Sequence, residues 1–278
     1  MDFFILKSKQ SPHFKCIYDN KRKELDSEHL FSIFAQILSI KKQLMNHKED
    51  VLKQVGLSTL TIDQIGDDHI MSSFDTPLRD DAFEMSDGDK IKAIQHHFGQ
   101  IMETLGLDMN DDSLKGTPYR VAKMYVKEIF SGLDPKNKPK LTVFDNKYKY
   151  AQMLVEKNIT FNSNCEHHFV PMIGTAHVAY ISSGQVIGLS KINRIVDYYA
   201  RRPQVQERLT LQILNELKSA LNTEDVAVVV EAKHMCVSTR GIKDQNSSTV
   251  TVEYGGKFLE ESTKKEFLGY ISSNLMRL

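Results

Sequence analysis

Two short stretches carry the residue types that can do chemistry: Cys165-Glu166-His167-His168 and His234-Met235-Cys236. Together they offer two thiols and three imidazoles. Cys165 and His168 are three residues apart, a common reach for two ligands of one ion. A third ligand has to come from far along the chain, and Cys236 is the only other thiol in that half. Two cysteines and one histidine, with water in the fourth place, is the pattern of a catalytic zinc site; structural sites close with four protein ligands. The soft, mixed sulfur and nitrogen set favours zinc over magnesium or calcium. Zinc brings the pKa of a bound water to about 7, and an imidazole beside it titrates in the same range. His167 and His234 are the candidates for moving protons. If 226–236 is one extended strand, His234 and Cys236 point to the same face. A closed site, with His167 or His234 as fourth ligand, is the competing reading.

Other residues suit a phosphorylated substrate. Ser190-Lys191-Ile192-Asn193-Arg194 opens a helix, where backbone N–H groups and the helix dipole favour an anion. Lys191 and Arg194 share a face, and Arg120 and Lys123 repeat that spacing on another helix. Arg240 follows the second Cys/His stretch. Such a cluster suits a polyphosphate, although each pair by itself is more often a solvated helix face. Glu207 lies in the first turn of a helix, where a carboxylate already favours the dipole. It could instead accept two parallel N–H bonds, as from guanine, with Gln206 adding to it. His177 alternates with apolar residues and reads as a satisfied sheet histidine. His96 and His97 read as surface.

The positioning elements come from a chain of 278 residues. That length suggests two domains, or one large domain with an extension. Lys plus Arg and Asp plus Glu both number 36, so no net charge points to nucleic acid or a membrane surface. No apolar run is long enough to span a bilayer. The first residues are too short for a signal-peptide core and lack a basic start, which predicts a cytoplasmic protein. Three cysteines, Cys16, Cys165 and Cys236, argue against a disulfide framework. Cys16 reads as a small buried hydrophobe.

Residues 1–85 read as an N-terminal extension, partly helical. Asp26-Ser27 caps an apolar pattern that includes Leu30, Ile33, Phe34, Ile37 and Leu38, and Gly56 is placed to stop it. Gly66, Asp67, Asp68, Ser72, Ser73, Asp75 and Pro77 read as linker. Ser86 with Asp89 opens a helix that Gly106 ends. Thr117-Pro118 opens another, ending at Gly132. Strands are expected over 152–161, 175–181, 186–188, 226–236 and 248–254. Between them lie a helix capped by Ser190, a helix after Pro203 and a closing helix over 263–275. The pattern predicts an α+β domain over 86–278. An antiparallel sheet would carry helices packed on one face, preceded by N-terminal helices.

These motifs occur together in an order that resembles GTP cyclohydrolase I of the zinc-dependent type. They are Cys165-Glu166-His167-His168, Gly188-Leu189-Ser190-Lys191, Arg201-Arg202-Pro203-Gln204-Val205-Gln206-Glu207-Arg208-Leu209-Thr210 and His234-Met235-Cys236 through Arg240-Gly241. Thr117-Pro118-Tyr119-Arg120-Val121-Ala122-Lys123 is similar to that family's upstream helix. The resemblance covers about residues 86–278; residues 1–85 match nothing in it. It implies the tunnelling fold and a homodecamer of two pentamers with active sites between subunits. It implies conversion of GTP and water to formate and 7,8-dihydroneopterin triphosphate, the start of tetrahydrofolate and other pterin pathways. Zinc would be held by Cys165, His168 and Cys236, with His167 and His234 moving protons. Glu207 with Gln206 would hold the guanine. Ser190, Lys191, Arg194 and Arg240 would bind triphosphate, joined by Arg120 and Lys123 from a neighbouring subunit.

Overall fold

Ser86 caps helix α1 (Asp87–Thr104): its hydroxyl accepts the Asp89 N–H at 3.2 Å and donates to the Asp89 carboxylate at 2.7 Å. The expected N-cap forms at Ser86, with the Asp89 carboxylate accepting from the Ser86 hydroxyl where a capping box would have it accept from the Ser86 N–H. The computed structural model in which it is seen describes residue 73 and residues 75–273. Cys16 and the helix expected after Asp26-Ser27 lie outside the described residues.

Helix α2 (Thr117–Met124) has Gly116, not Thr117, as its N-cap, and Pro118 falls in its first turn. It runs on as a π-helical turn (Tyr125–Ile129) and a 3-10 turn (Ser131–Leu133). Gly132 does more than stop the helix. Its N–H donates to Arg201 O at 3.0 Å, and a Cβ there would lie 2.0 Å from Tyr198 O. Only glycine permits that approach.

The second half of the chain builds the sheet. Its elements are β1 (Val143–Asp145), β2 (Met153–Cys165), β3 (Pro171–Ile181), β4 (Gln185–Ile187), α3 (Leu189–Ala200), β5 (Pro203–Gln204) and α4 (Gln206–Leu221). After them come β6 (Val226–His234), the short α5 (Met235–Ser238), β7 (Thr249–Tyr254) and α6 (Glu261–Ser272). Five strands lie in the order β5-β2-β3-β6-β7, and β1 pairs with β4 in a separate ribbon. The pairs are antiparallel except β2 with β5. The architecture is the expected α+β one, consistent with a tunnelling fold.

Strand alternation divides the apolar residues between two faces. Val178, Tyr180, Val228 and Val230 pack against Ile192, Val196, Leu209, Ile213 and Leu217 of α3 and α4 in the main core. Each such side chain contributes about 1.5–3 kcal/mol by leaving water. Ala179, Ala227 and Val229 point the other way, onto Phe258 and Phe267. The C-terminal helix α6 thus covers part of the face opposite α3 and α4. Lys157 fixes its end, with Nζ donating to Tyr270 O at 3.0 Å and Ser273 O at 2.7 Å, a cation where the dipole favours one.

Part of the stretch read as linker is tied down. Arg208 Nε donates to Ser73 O at 2.8 Å, and the Asp75 carboxylate accepts from Gln212 and Arg202. No helix among the described residues is long and apolar enough to cross a membrane.

His177 is the satisfied sheet histidine expected. A bulge interrupts β2 between Glu156 and Ile159, with Asn158 in the left-handed region at φ 59°. The Asn158 N–H donates to His177 Nδ1 at 3.3 Å. Burial pushes this imidazole below its ordinary value of 6.5; Glu231 opposes that and Lys157 adds to it. The unfolded chain therefore takes up this proton first. The neutral ring's contribution is complete above 6.5 and is lost as pH falls through the lower folded value. Equilibrium unfolding between about pH 8 and about pH 5 should show wild type losing its advantage over His177→Asn on acidification. A pH-independent difference would refute the assignment.

Candidate metal centre and substrate site

The first Cys/His stretch is the connection between β2 and β3. Cys165 ends β2, its N–H donating to Val170 O at 2.9 Å, while the Phe169 N–H donates back to Cys165 O at 2.9 Å. The turn forces Phe169 to φ 55°, a costly conformation for a bulky residue. Asn164 Nδ2 donates to Phe169 O at 3.2 Å, and the Phe169 ring meets Phe130 edge-on at 5.2 Å. Those contacts hold the turn.

The second stretch arrives on β6, the other neighbour of β3. The register pairs Met172 with His234, which puts His234 beside the turn. Here the expected strand over 226–236 needs correction. β6 stops at His234, and Met235 begins the helical turn α5. β3 begins at Pro171, which has no N–H to carry the ladder further. Cys236 therefore reaches the site from a helical turn and not from a shared strand face.

The result is a tight group. One ligand atom each from Cys165, His234 and Cys236 all lie within 4.8 Å of one another. His167 Nδ1 is 3.4 Å from Cys165 Sγ. His168, expected as a ligand, is placed otherwise: its Nε2 is 2.9 Å from Arg240 Nη1, so it accepts from the guanidinium. Two thiols and an imidazole at this spacing fit zinc by donor type and reach. Burial raises the Cys236 thiol pKa and neighbouring Cys165 raises it further, while Arg240 opposes both. Burial lowers the His234 pKa; Glu207 pulls it up and His167 pushes it down.

The start of α4 touches both stretches. Gln206 is 2% exposed, with Nε2 donating to Val230 O and Thr249 O and Oε1 lying 2.8 Å from His234 Nε2. Glu207, the next residue, is exposed. Arg208 is buried and grips Glu166 with two bonds, Nη1 to Oε2 at 2.6 Å and Nη2 to Oε1 at 3.2 Å. The Glu166 N–H donates to Gln204 O at 3.0 Å. Sequence reasoning missed this ion pair. Its only signal was a charge inside each of two motifs, and spacing cannot pair such distant residues.

The expected phosphate ligands are more scattered. Ser190 and Arg194 are exposed and Lys191 half-buried in the first turns of α3, whose N-cap is Gly188 and not Ser190. Arg120 and Lys123 are exposed on α2, and Arg120 bonds Thr117 Oγ1 and Ser113 O. Among the described residues, Arg240 is the expected phosphate ligand hydrogen-bonded to a histidine of the two stretches, His168. A groove of about 1150 Å³ lies apart from that group, between α1 and the π-helical turn, and reaches the Cys165 turn at Phe169.

Removing one partner of a buried ion pair leaves the other charge uncompensated. Glu166→Ala should destabilise the fold by about 3 kcal/mol in urea unfolding. Adding Arg208→Met should recover part of that loss. Purely additive losses would mean that the pair carries no coupling.

Comparison with known proteins bears on the same region. The family described as GTP cyclohydrolase I matches residues 94–272. A protein of Flavobacterium johnsoniae named GTP cyclohydrolase 1 is 64% identical over 210 residues, covering 76% of this chain and 94% of the relative. Proteins of that name from Aeromonas salmonicida and Citrobacter koseri are 55% identical over 196 residues and 52% over 200. They cover 70% and 72% of this chain and 89% and 90% of their own. The matched region holds the whole sheet, both Cys/His stretches and the α4 clamp, and on that basis the chain belongs to the GTP cyclohydrolase I family of enzymes.

Proposed function

We propose that this enzyme converts GTP and water to formate and 7,8-dihydroneopterin triphosphate with zinc, as the first step of tetrahydrofolate and pterin biosynthesis. The observation that carries the reading is the meeting of Cys165, His234 and Cys236 within 4.8 Å. Family membership supplies GTP as substrate.

Cys165, His168 and Cys236 hold the ion in this reading. When bound, zinc supplies Lewis acidity that makes water nucleophilic at neutral pH. Hydrolysis at C8 of the purine also needs a proton taken up as water adds and delivered to the departing ring nitrogen. His167 and His234 carry those protons. Glu207 accepts parallel N–H bonds from N1 and the 2-amino group of guanine, with Gln206 beside it. Ser190, Lys191, Arg194 and Arg240 take the triphosphate, with the start of α3 contributing backbone N–H groups. Arg120 and Lys123 act on the site of a neighbouring subunit, in a decamer of two pentamers. One observation favours a second assignment of the third ligand. His234 stands in the tight group, while His168 bonds Arg240.

Purified protein with GTP, with and without a zinc chelator, tests the reaction. Formate and pterin should appear together and both disappear on chelation. GTP binding with neither product would sink the proposal. Metal analysis of two variants tests the ligand set. His168→Ala should lose zinc, whereas His234→Ala should keep zinc and lose turnover. The reverse pattern would give the third position to His234. Glu207→Ala should weaken GTP binding by about tenfold or more, since it removes charge-assisted hydrogen bonds, without altering the oligomer. Unchanged affinity would remove Glu207 from the guanine site.

A further inference from the structure

We propose that Gln206 is a positioning residue: it holds the His234 proton on Nε2 and so leaves Nδ1 as the nitrogen available to the site. The inference deepens the proposed function and rests on His234 having a role in it, as proton carrier or as ligand.

The orientation of the Gln206 amide is fixed by what surrounds it. Its Nε2 lies 3.0 Å from Val230 O and 2.9 Å from Thr249 O. Both partners are backbone carbonyls, which only accept, so the atom facing them is the donor nitrogen. A third contact, to Thr251 Oγ1 at 3.2 Å, can only share one of the two amide hydrogens. Thr210 Oγ1 gives its one hydrogen to Gln206 O at 2.8 Å, so the 2.6 Å contact between the two threonines runs from Thr251 to Thr210. Thr251 Oγ1 then turns a lone pair, not a hydrogen, toward the Gln206 amide. The two backbone carbonyls take the two amide hydrogens, and the side-chain carbonyl oxygen of Gln206 faces His234.

That oxygen can only accept. At 2.8 Å the group opposite, His234 Nε2, must donate. A neutral imidazole that donates from Nε2 has its lone pair on Nδ1. A carbonyl on one ring nitrogen commonly sets the tautomer and angle of a reactive histidine in this way. The same bonds argue against a side-chain role for Gln206 at guanine. It is 2% exposed, and its amide is already engaged at both ends. Glu207 is one step further round the helix and points to solvent.

Two measurements on the full chain with zinc and GTP test this. The first needs no substitution at Gln206. ¹⁵N spectra of histidine-labelled wild type, with His234→Asn to assign the signal, should show His234 protonated at Nε2 and not at Nδ1. A proton on Nδ1 with Nε2 bare would overturn the proposal. The second is Gln206→Met. Its kcat should fall by about 10- to 100-fold, while the GTP KM and the zinc content stay at wild-type values. A raised KM with kcat preserved would make Gln206 a substrate ligand and overturn the proposal. Wild type that makes no formate would instead fail the proposed reaction, and the spectra would still decide the tautomer.

Discussion

Strand β3 pairs with β2 along one edge and with β6 along the other. That shared neighbour closes the distance between Cys165 and Cys236, which are far apart in the chain. The register is demanding. Side chains alternate with a period of two, so a slip of one residue would turn His234 away from the Cys165 turn. The main core opposes such a slip, because it would bring Val228 and Val230 out of contact with α3 and α4. The Cys/His group therefore draws its geometry from apolar packing in the middle of the sheet.

A second, polar layer refines what the ladder sets coarsely. Strand β5 runs parallel to the end of β2 and pairs Gln204 with Cys165, so α4 enters directly beside the first thiol. Three consecutive residues then divide the work. Gln206 turns inward to His234, Glu207 faces out, and Arg208 turns inward to Glu166. Burying an arginine and a glutamine at a helix start is costly unless every donor is met. Here Arg208 meets the Glu166 carboxylate and the Ser73 carbonyl. The gain is positional: the second stretch cannot shift against α4 without breaking the Gln206 bond, nor the first without breaking the Arg208 pair.

Much of this was legible in the residues. Both Cys/His stretches, the order of helices and strands, the N-cap at Ser86 and the role of His177 follow from local type and spacing. Other features did not. Where β6 ends depends on a proline across the sheet, Pro171, and no pattern within 226–236 encodes that. The position of α6 on the opposite face depends on which side of the sheet Ala179 and Val229 leave open for Phe258 and Phe267. Arg208 and Glu166 each looked like an ordinary charge, because pairing over that separation is a tertiary fact. How His234 and Cys236 come together with Cys165 likewise depends on how the chain turns at Met235.

The bonds from Arg202, Arg208 and Gln212 to Ser73 and Asp75 also bear on where this fold begins. By helical pattern, the domain edge falls just before α1. By hydrogen-bond satisfaction, it falls earlier, because two buried arginines and a glutamine complete their bonding with Ser73 and Asp75, which precede α1. A shorter protein cut at the helix would keep every helix and strand described here. It would still expose Arg208 to a missing acceptor, one bond away from the turn that carries Cys165. Ser73 and Asp75 are thus part of the site's scaffold, although neither lies in a helix or strand and both are exposed.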